Sequence, residues 1–194
     1  MVRVFVALTC IATLTACTTS VGLKYSPSPA TVKLEASTSP VVIGSFVDQR
    51  GEPSNWLGAI RGGFGNPLKN LESDQPVSTL VQAAFSDGLR ARGVVIDSTS
   101  APVQISGVIH QLDCNQMVRR EANVEIEVSV TEISSGHQRF SRTYTATNVD
   151  GSLLSLSTGI FASVDELRAV TEKTLREVVD KALNDTSLRA SLRL

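Results

Sequence analysis

Histidine and cysteine, the residues on which nucleophilic and metal chemistry most often draws, are nearly missing from this 194-residue chain: two of the first and three of the second. Aromatics make up only 5%, so a core has to be built mostly from Val, Leu, Ile and Ala. There is no excess of positive charge, since 18 Lys and Arg face 19 Asp and Glu. A nucleic-acid partner would want a basic face, and this balance argues against one. No apolar run reaches the roughly 18 residues of a membrane-spanning helix.

What is present begins at residue 3. Arg3 is the lone positive charge of a short leader, and Val4 to Leu14 is apolar apart from Thr9, Cys10 and Thr13. Together these read as a secretory signal over residues 1–16. Leu14-Thr15-Ala16-Cys17 then reads as a lipobox, in which the Cys17 thiol takes a diacylglycerol before cleavage between Ala16 and Cys17. One acyl chain holds a protein to a bilayer only marginally, whereas two or more hold it stably, at about 0.8 kcal/mol per buried methylene. Thr18, where aspartate would be the inner-membrane retention signal, points to the periplasmic face of the outer membrane.

Cleavage removes Cys10 and acylation consumes Cys17, so Cys114 stays alone and no intramolecular disulfide forms. Cys114 lies beside His110 and Asp113, a combination that could hold a metal or activate a nucleophile. On a strand, however, residues 110 and 114 share one face and 113 takes the other. Zinc would also want a fourth ligand, and His137 is the only other histidine. Cys114 is therefore read as an inert, half-buried residue, with no metal, no cofactor and no catalytic residue assigned.

Residues 17–40 read as a lipidated cysteine and a Ser/Pro-rich tether, which would span about 60 Å as polyproline II or about 25 Å as coil. Within it, alternating Val32, Leu34 and Ala36 allow a short edge strand. The domain is placed at 41–185, with 186–194 as a tail that is either a short helical turn or frayed. Val41 to Val47 is apolar almost throughout, as in a central strand. Residues 48–75 read as one long irregular loop containing Gly58, Gly62, Gly63 and Gly65. Loops of that length inside a compact domain are often functional. Asp48, Arg50, Trp56, Arg61 and Phe64 are its candidate partner-binding residues, Trp and Arg being the usual hot-spot types. The alternative is that Trp56, Leu57, Ile60 and Phe64 fold back as a lid, and the two roles are compatible.

Pro76 opens a helix with an apolar stripe from Val77 to Leu89, closed by Gly93. Val94-Val95-Ile96 follows as a short strand, and strand, helix and strand predict parallel pairing. Val103 to Leu112, the strictly alternating Ala122 to Thr131, and the return strand through Phe140, Tyr144 and Ala146 predict an antiparallel set with one wet face. Glu125 and Glu127 lie on that face as a solvated stripe, and His137 lies in a turn. Ser163-Val164-Asp165-Glu166 is a capping box that starts a second long helix.

The sum is α+β: a mixed, largely antiparallel sheet of about five strands carrying two helices. This order of elements behind a lipobox, with Asp48-Gln49-Arg50, the glycine-bearing loop and Ala91-Arg92-Gly93, resembles the YajG-type lipoproteins of the bacterial outer membrane. The resemblance covers roughly residues 30–185 and implies a mixed sheet with helices packed against it. It brings no activity and no catalytic residues. The expected role is a non-catalytic binding or accessory component of a cell-envelope complex, held to the membrane by its lipid and contacting a protein or glycan partner. The alternative is a small periplasmic lipoprotein hydrolase that uses carboxylates.

Overall fold

The alternating stretch around residue 126 becomes the backbone of the sheet. The computed structural model describes residues 17–28, 39–97, 99–151 and 163–192. Its elements are β1 (Cys17–Val21), β2 (Val41–Asp48), β3 (Trp56–Arg61), β4 (Pro67–Ser73), α1 (Val77–Ala91), β5 (Val103–Gln116), β6 (Arg120–Glu132), β7 (Gln138–Asp150), α2 (Val164–Asn184) and α3 (Thr186–Ser191). The fold is α+β, with a mixed seven-stranded sheet ordered β1-β4-β3-β5-β6-β7 and β2 beside β5. β1, β3 and β4 were not expected from the sequence, and the tail takes the helical of its two expected forms as α3.

β5 is the spine. Along one edge it pairs antiparallel with β6 over its whole length. Its other edge is shared: β2 runs parallel to Val103–Ile109, and β3 runs parallel to Cys114–Gln116. Because α1 lies between β2 and β5 in sequence, the expected parallel crossover exists. Its second strand is β5, however, and Val94–Ile96 contributes a single bridge from Ile96 to Val41.

Every second residue of β6, from Ala122 to Val130, is buried under the helices, as the period of two requires. α2 covers β5, β6 and β7, while α1 covers β2. The Phe46 and Phe85 rings stack at 4.8 Å between β2 and α1. The two long helices approach closely at Gly88, where an added Cβ would come within 2.6 Å of Leu183. Ser163 accepts from the Glu166 amide as the α2 cap. Residues 186–191 form α3, the helical alternative for the tail, with Leu188 and Leu192 buried.

Two corrections matter for function. The 48–75 loop is largely a β-hairpin, β3 and β4, turning at residues 62–66. Leu57, Ala59 and Ile60 are all buried, so β3 shows no alternation, and Gly58 is there for close approach: a Cβ on it would lie 1.6 Å from the Cys114 carbonyl oxygen. The described half of the tether is also structured. β1 adds to the sheet edge parallel to β4, with Cys17 opposite Lys69. Leu23 is buried, the Lys24 amide donates to Glu172 and the Tyr25 hydroxyl donates to Asp180. Val21, Leu23 and Tyr25 alternate with Gly22 and Lys24, a period-two pattern too short to stand out beside the Ser- and Pro-rich run that follows. The signal at 1–16 and the Val32–Ala36 strand lie outside the described residues.

Candidate functional site

β2 leaves the edge of β5 at Ile109, where the Gln49 amide donates to the Ile109 carbonyl at 3.0 Å. β3 takes up that edge only at Cys114. In the gap, backbone carbonyls need partners, and Arg50 supplies them. Its Nη1 donates to the Trp56 carbonyl at 2.7 Å and to the Leu112 carbonyl at 2.9 Å. Nε and Nη2 grip the Asp48 carboxylate at 2.9 and 2.8 Å. The Arg50 side chain is only 3% exposed. Burial alone would raise the Asp48 pKa, but the hydrogen bonds from Arg50 outweigh it and hold the carboxyl below its ordinary value.

Over this brace lies an open groove of about 480 Å³ on the helix-free face, walled by Glu52, Trp56, His110, Gln111, Asp113 and Asn115, with Glu125 alongside. Asp113 accepts from Gln111 Nε2 at 2.6 Å and from Asn115 Nδ2 at 3.1 Å. His110 lies 3.6 Å from Glu127. Of the five sequence candidates, Asp48, Arg50 and Trp56 come together here. Arg61 adjoins the groove by donating to Asn115 Oδ1 at 3.2 Å, and its Nη1 donates to the Gly65 carbonyl. Phe64 stands apart, fully exposed at the tip of the β3–β4 hairpin. Arg50 is thus a structural brace beneath the groove, and its charge is not presented to a partner.

The sequence missed Gln111, Asp113 and Asn115, and the reason is a bulge. Pairing with β6 slips by one between Ile109 and Gln111, which changes the phase of the strand. His110 therefore lies on the open face with Asp113, and it does not share a face with Cys114 as strict alternation predicted. Cys114 points under the helices, is fully buried, and burial pushes its thiol up to about 12. At such a pKa no thiolate nucleophile forms at neutral pH. Among the described residues, no three His, Cys, Asp or Glu side chains are grouped so as to hold a metal. No helix among them is long and apolar enough to cross a membrane.

The chain belongs to the Lipoprotein_16 family, described as uncharacterized lipoprotein, whose model matches residues 30–193. A membrane-anchored envelope location goes with that membership.

Among solved structures, protein XCC0632 from Xanthomonas campestris is similar at a TM-score of 0.62 and 14% identity, covering 89% of this chain and 96% of that one. A second, titled only as an uncharacterized protein, is similar at a TM-score of 0.53 and 8% identity over 86% of this chain and 96% of its own. At these identities the likeness shows the fold. No curated protein matches the chain.

Proposed function

We propose that the protein is a non-catalytic accessory component of a cell-envelope complex. In this reading acylated Cys17 holds it at the periplasmic face of the outer membrane, and the groove over Arg50 receives a protein or glycan partner. The YajG-type resemblance is the finer family assignment that accompanies this reading. The observation that carries it is the makeup of the groove. It is polar and mixed: two amides, Gln111 and Asn115, three carboxylates, Glu52, Asp113 and Glu125, and His110. Asp113 is already hydrogen-bonded to both amides, and Trp56 offers one flat, half-buried aromatic wall. Stacking on that ring and hydrogen bonds to the polar side chains suit an extended peptide or a sugar. A carboxylate hydrolase would need two converging acids free to exchange protons; Asp113 is engaged by both amides, so that second reading would fall to Glu52 and Glu125.

Photo-crosslinking in cells tests the proposal. A photoreactive residue in place of Gln111 should trap an envelope partner, whereas one in place of Thr143, on the exposed part of β7, should not. Trp56→Ala keeps the backbone carbonyl that Arg50 binds, so the fold should survive. A hot-spot aromatic is worth about 2 kcal/mol or more, so adduct yield should fall about thirtyfold. Undiminished adducts from Trp56→Ala, or equal yields from positions 111 and 143, would count against the groove as the contact surface.

A further inference from the structure

We infer that one end of the sheet is itself a membrane-docking face, with the β3–β4 and β5–β6 hairpin tips seated in the lipid interface beside the acylated cysteine. The inference rests on acylation of Cys17. Its physical core is the absence of any leash. Cleavage before Cys17 makes that residue the first of the mature chain, and Cys17 is already the first residue of β1, in register with Lys69 of β4. The lipid is therefore attached to a sheet strand, and the sheet end from which it leaves has to lie at the bilayer.

Strand directions identify that end. β1 is parallel to β4, so the chain enters β1 at the end where β4 begins. β3 finishes there, Ile60 being opposite Lys69. β5 finishes there too, Gln116 being opposite Ile60. Cys17, Ile60 and Gln116 thus share one level. Two turns reach beyond it: residues 62–66 and residues 117–119. Pro67, at the base of the first turn, is already two residues further out than Lys69, about 7 Å at the rise of a strand. The acylated amino group of Cys17 stands at the same end, as the first residue of β1. Whatever lies beyond the level of Cys17 meets the headgroup region.

Three large apolar side chains stand exposed beyond it. Phe64 is fully exposed at the first tip, and Met117 and Val118 are 48% and 44% exposed at the second. Val149, 52% exposed, lies one residue inside that level on β7, opposite Glu121. The charges there are mixed. Arg61 is held by Asn115 and the Gly65 carbonyl, and Arg120 pairs with Asp150 and Glu166. Arg119 and Glu121 are exposed. The balance favours a surface entered by apolar side chains, with no strong need for anionic lipid. From β1 to the β5–β6 turn spans about four strand spacings, roughly 19 Å, which makes a face broad enough to fix the tilt of the domain. The groove over Arg50 then opens sideways, along the membrane plane.

The acylated mature protein allows a direct test. Cys17 is blocked by its lipid and Cys114 is buried, so an environment-sensitive nitrobenzoxadiazole probe can be placed at Phe64→Cys, at Met117→Cys or, at the other end of the sheet, at Ile133→Cys. Each labelled protein is reconstituted into phosphatidylethanolamine–phosphatidylglycerol vesicles containing headgroup-proximal doxyl lipid, and thermal unfolding checks that each variant folds as the parent does. With vesicles that float the protein, probes at 64 and 117 should shift to the blue and lose more than half their emission, while the probe at 133 should change by less than a tenth. Flotation with all three probes equally quenched by aqueous iodide would overturn the docking face and leave the anchor standing. Failure to float would overturn the anchor and the docking face together.

Discussion

Arg92→Ala is expected to lower the stability of the domain by about 3–5 kcal/mol, because it breaks a buried ion pair from one side. Arg92 follows the last turn of α1 and is fully buried. Nη2 donates to Asp180 at 2.9 Å and to Asn184 at 3.0 Å. Nη1 donates to the Gly88 carbonyl at 2.9 Å. The Tyr25 hydroxyl donates to the same Asp180 oxygen at 2.8 Å, and its pKa is pushed up to about 12, chiefly by burial. One guanidinium therefore ties the end of α1 to α2 and, through Asp180, to the strap that follows β1. Truncation leaves the Asp180 charge, 13% exposed, without its counter-ion. Against a total of about 5–15 kcal/mol for a typical domain, that is a large share of the stability. Urea unfolding measures the loss, and a change below about 1 kcal/mol would show that the network is dispensable.

Arg50→Ala should be nearly as damaging, by about 3 kcal/mol, since it strands two backbone carbonyls in the sheet gap and an aspartate beside them. It should also change the pH response. Asp48 has a lowered folded pKa, so its contribution is complete above the unfolded value of about 4 and fades as pH falls through the folded pKa. Asp185 behaves in the same way. Burial alone would raise its pKa, but hydrogen bonds from Tyr144 and from the Ser187 and Leu188 amides, with the Arg142 charge, bring it down. The parent should therefore lose stability steeply below about pH 4, and Arg50→Ala, which no longer has the Asp48 share, should lose less. Equal pH slopes in the two proteins would mean that Asp48 is not held by Arg50.

Local regularities in this chain were readable and long-range closures were not. β6 announces itself because each of its apolar residues faces the helices and each neighbour faces water. Both long helices carry uninterrupted stripes and glycine or serine punctuation. β3 hides because it is buried between β4 and β5, so the alternation that marks a strand is absent, and four glycines nearby mimic a loop. β1 hides because a parallel edge pairing with β4, some fifty residues away in sequence, leaves no periodic trace in Cys-Thr-Thr-Ser-Val. At the site, composition pointed to Arg50 and Trp56, and they do lie together. A buried brace and a surface hot spot use the same residue types, however, and only the strand gap at Leu112 distinguishes them. Gln111, Asp113 and Asn115 are ordinary polar strand residues until the bulge at His110 brings them to the groove.

Acylation of Cys17 is tested most directly by the mass of the mature amino-terminal peptide. Protein taken from the membrane fraction should begin at residue 17 and carry a diacylglyceryl thioether with an acylated amine, and Cys17→Ser should accumulate as uncleaved precursor without palmitate label. A soluble protein whose amino-terminal cysteine carries no fatty acid, or palmitate label that persists in Cys17→Ser, would contradict it.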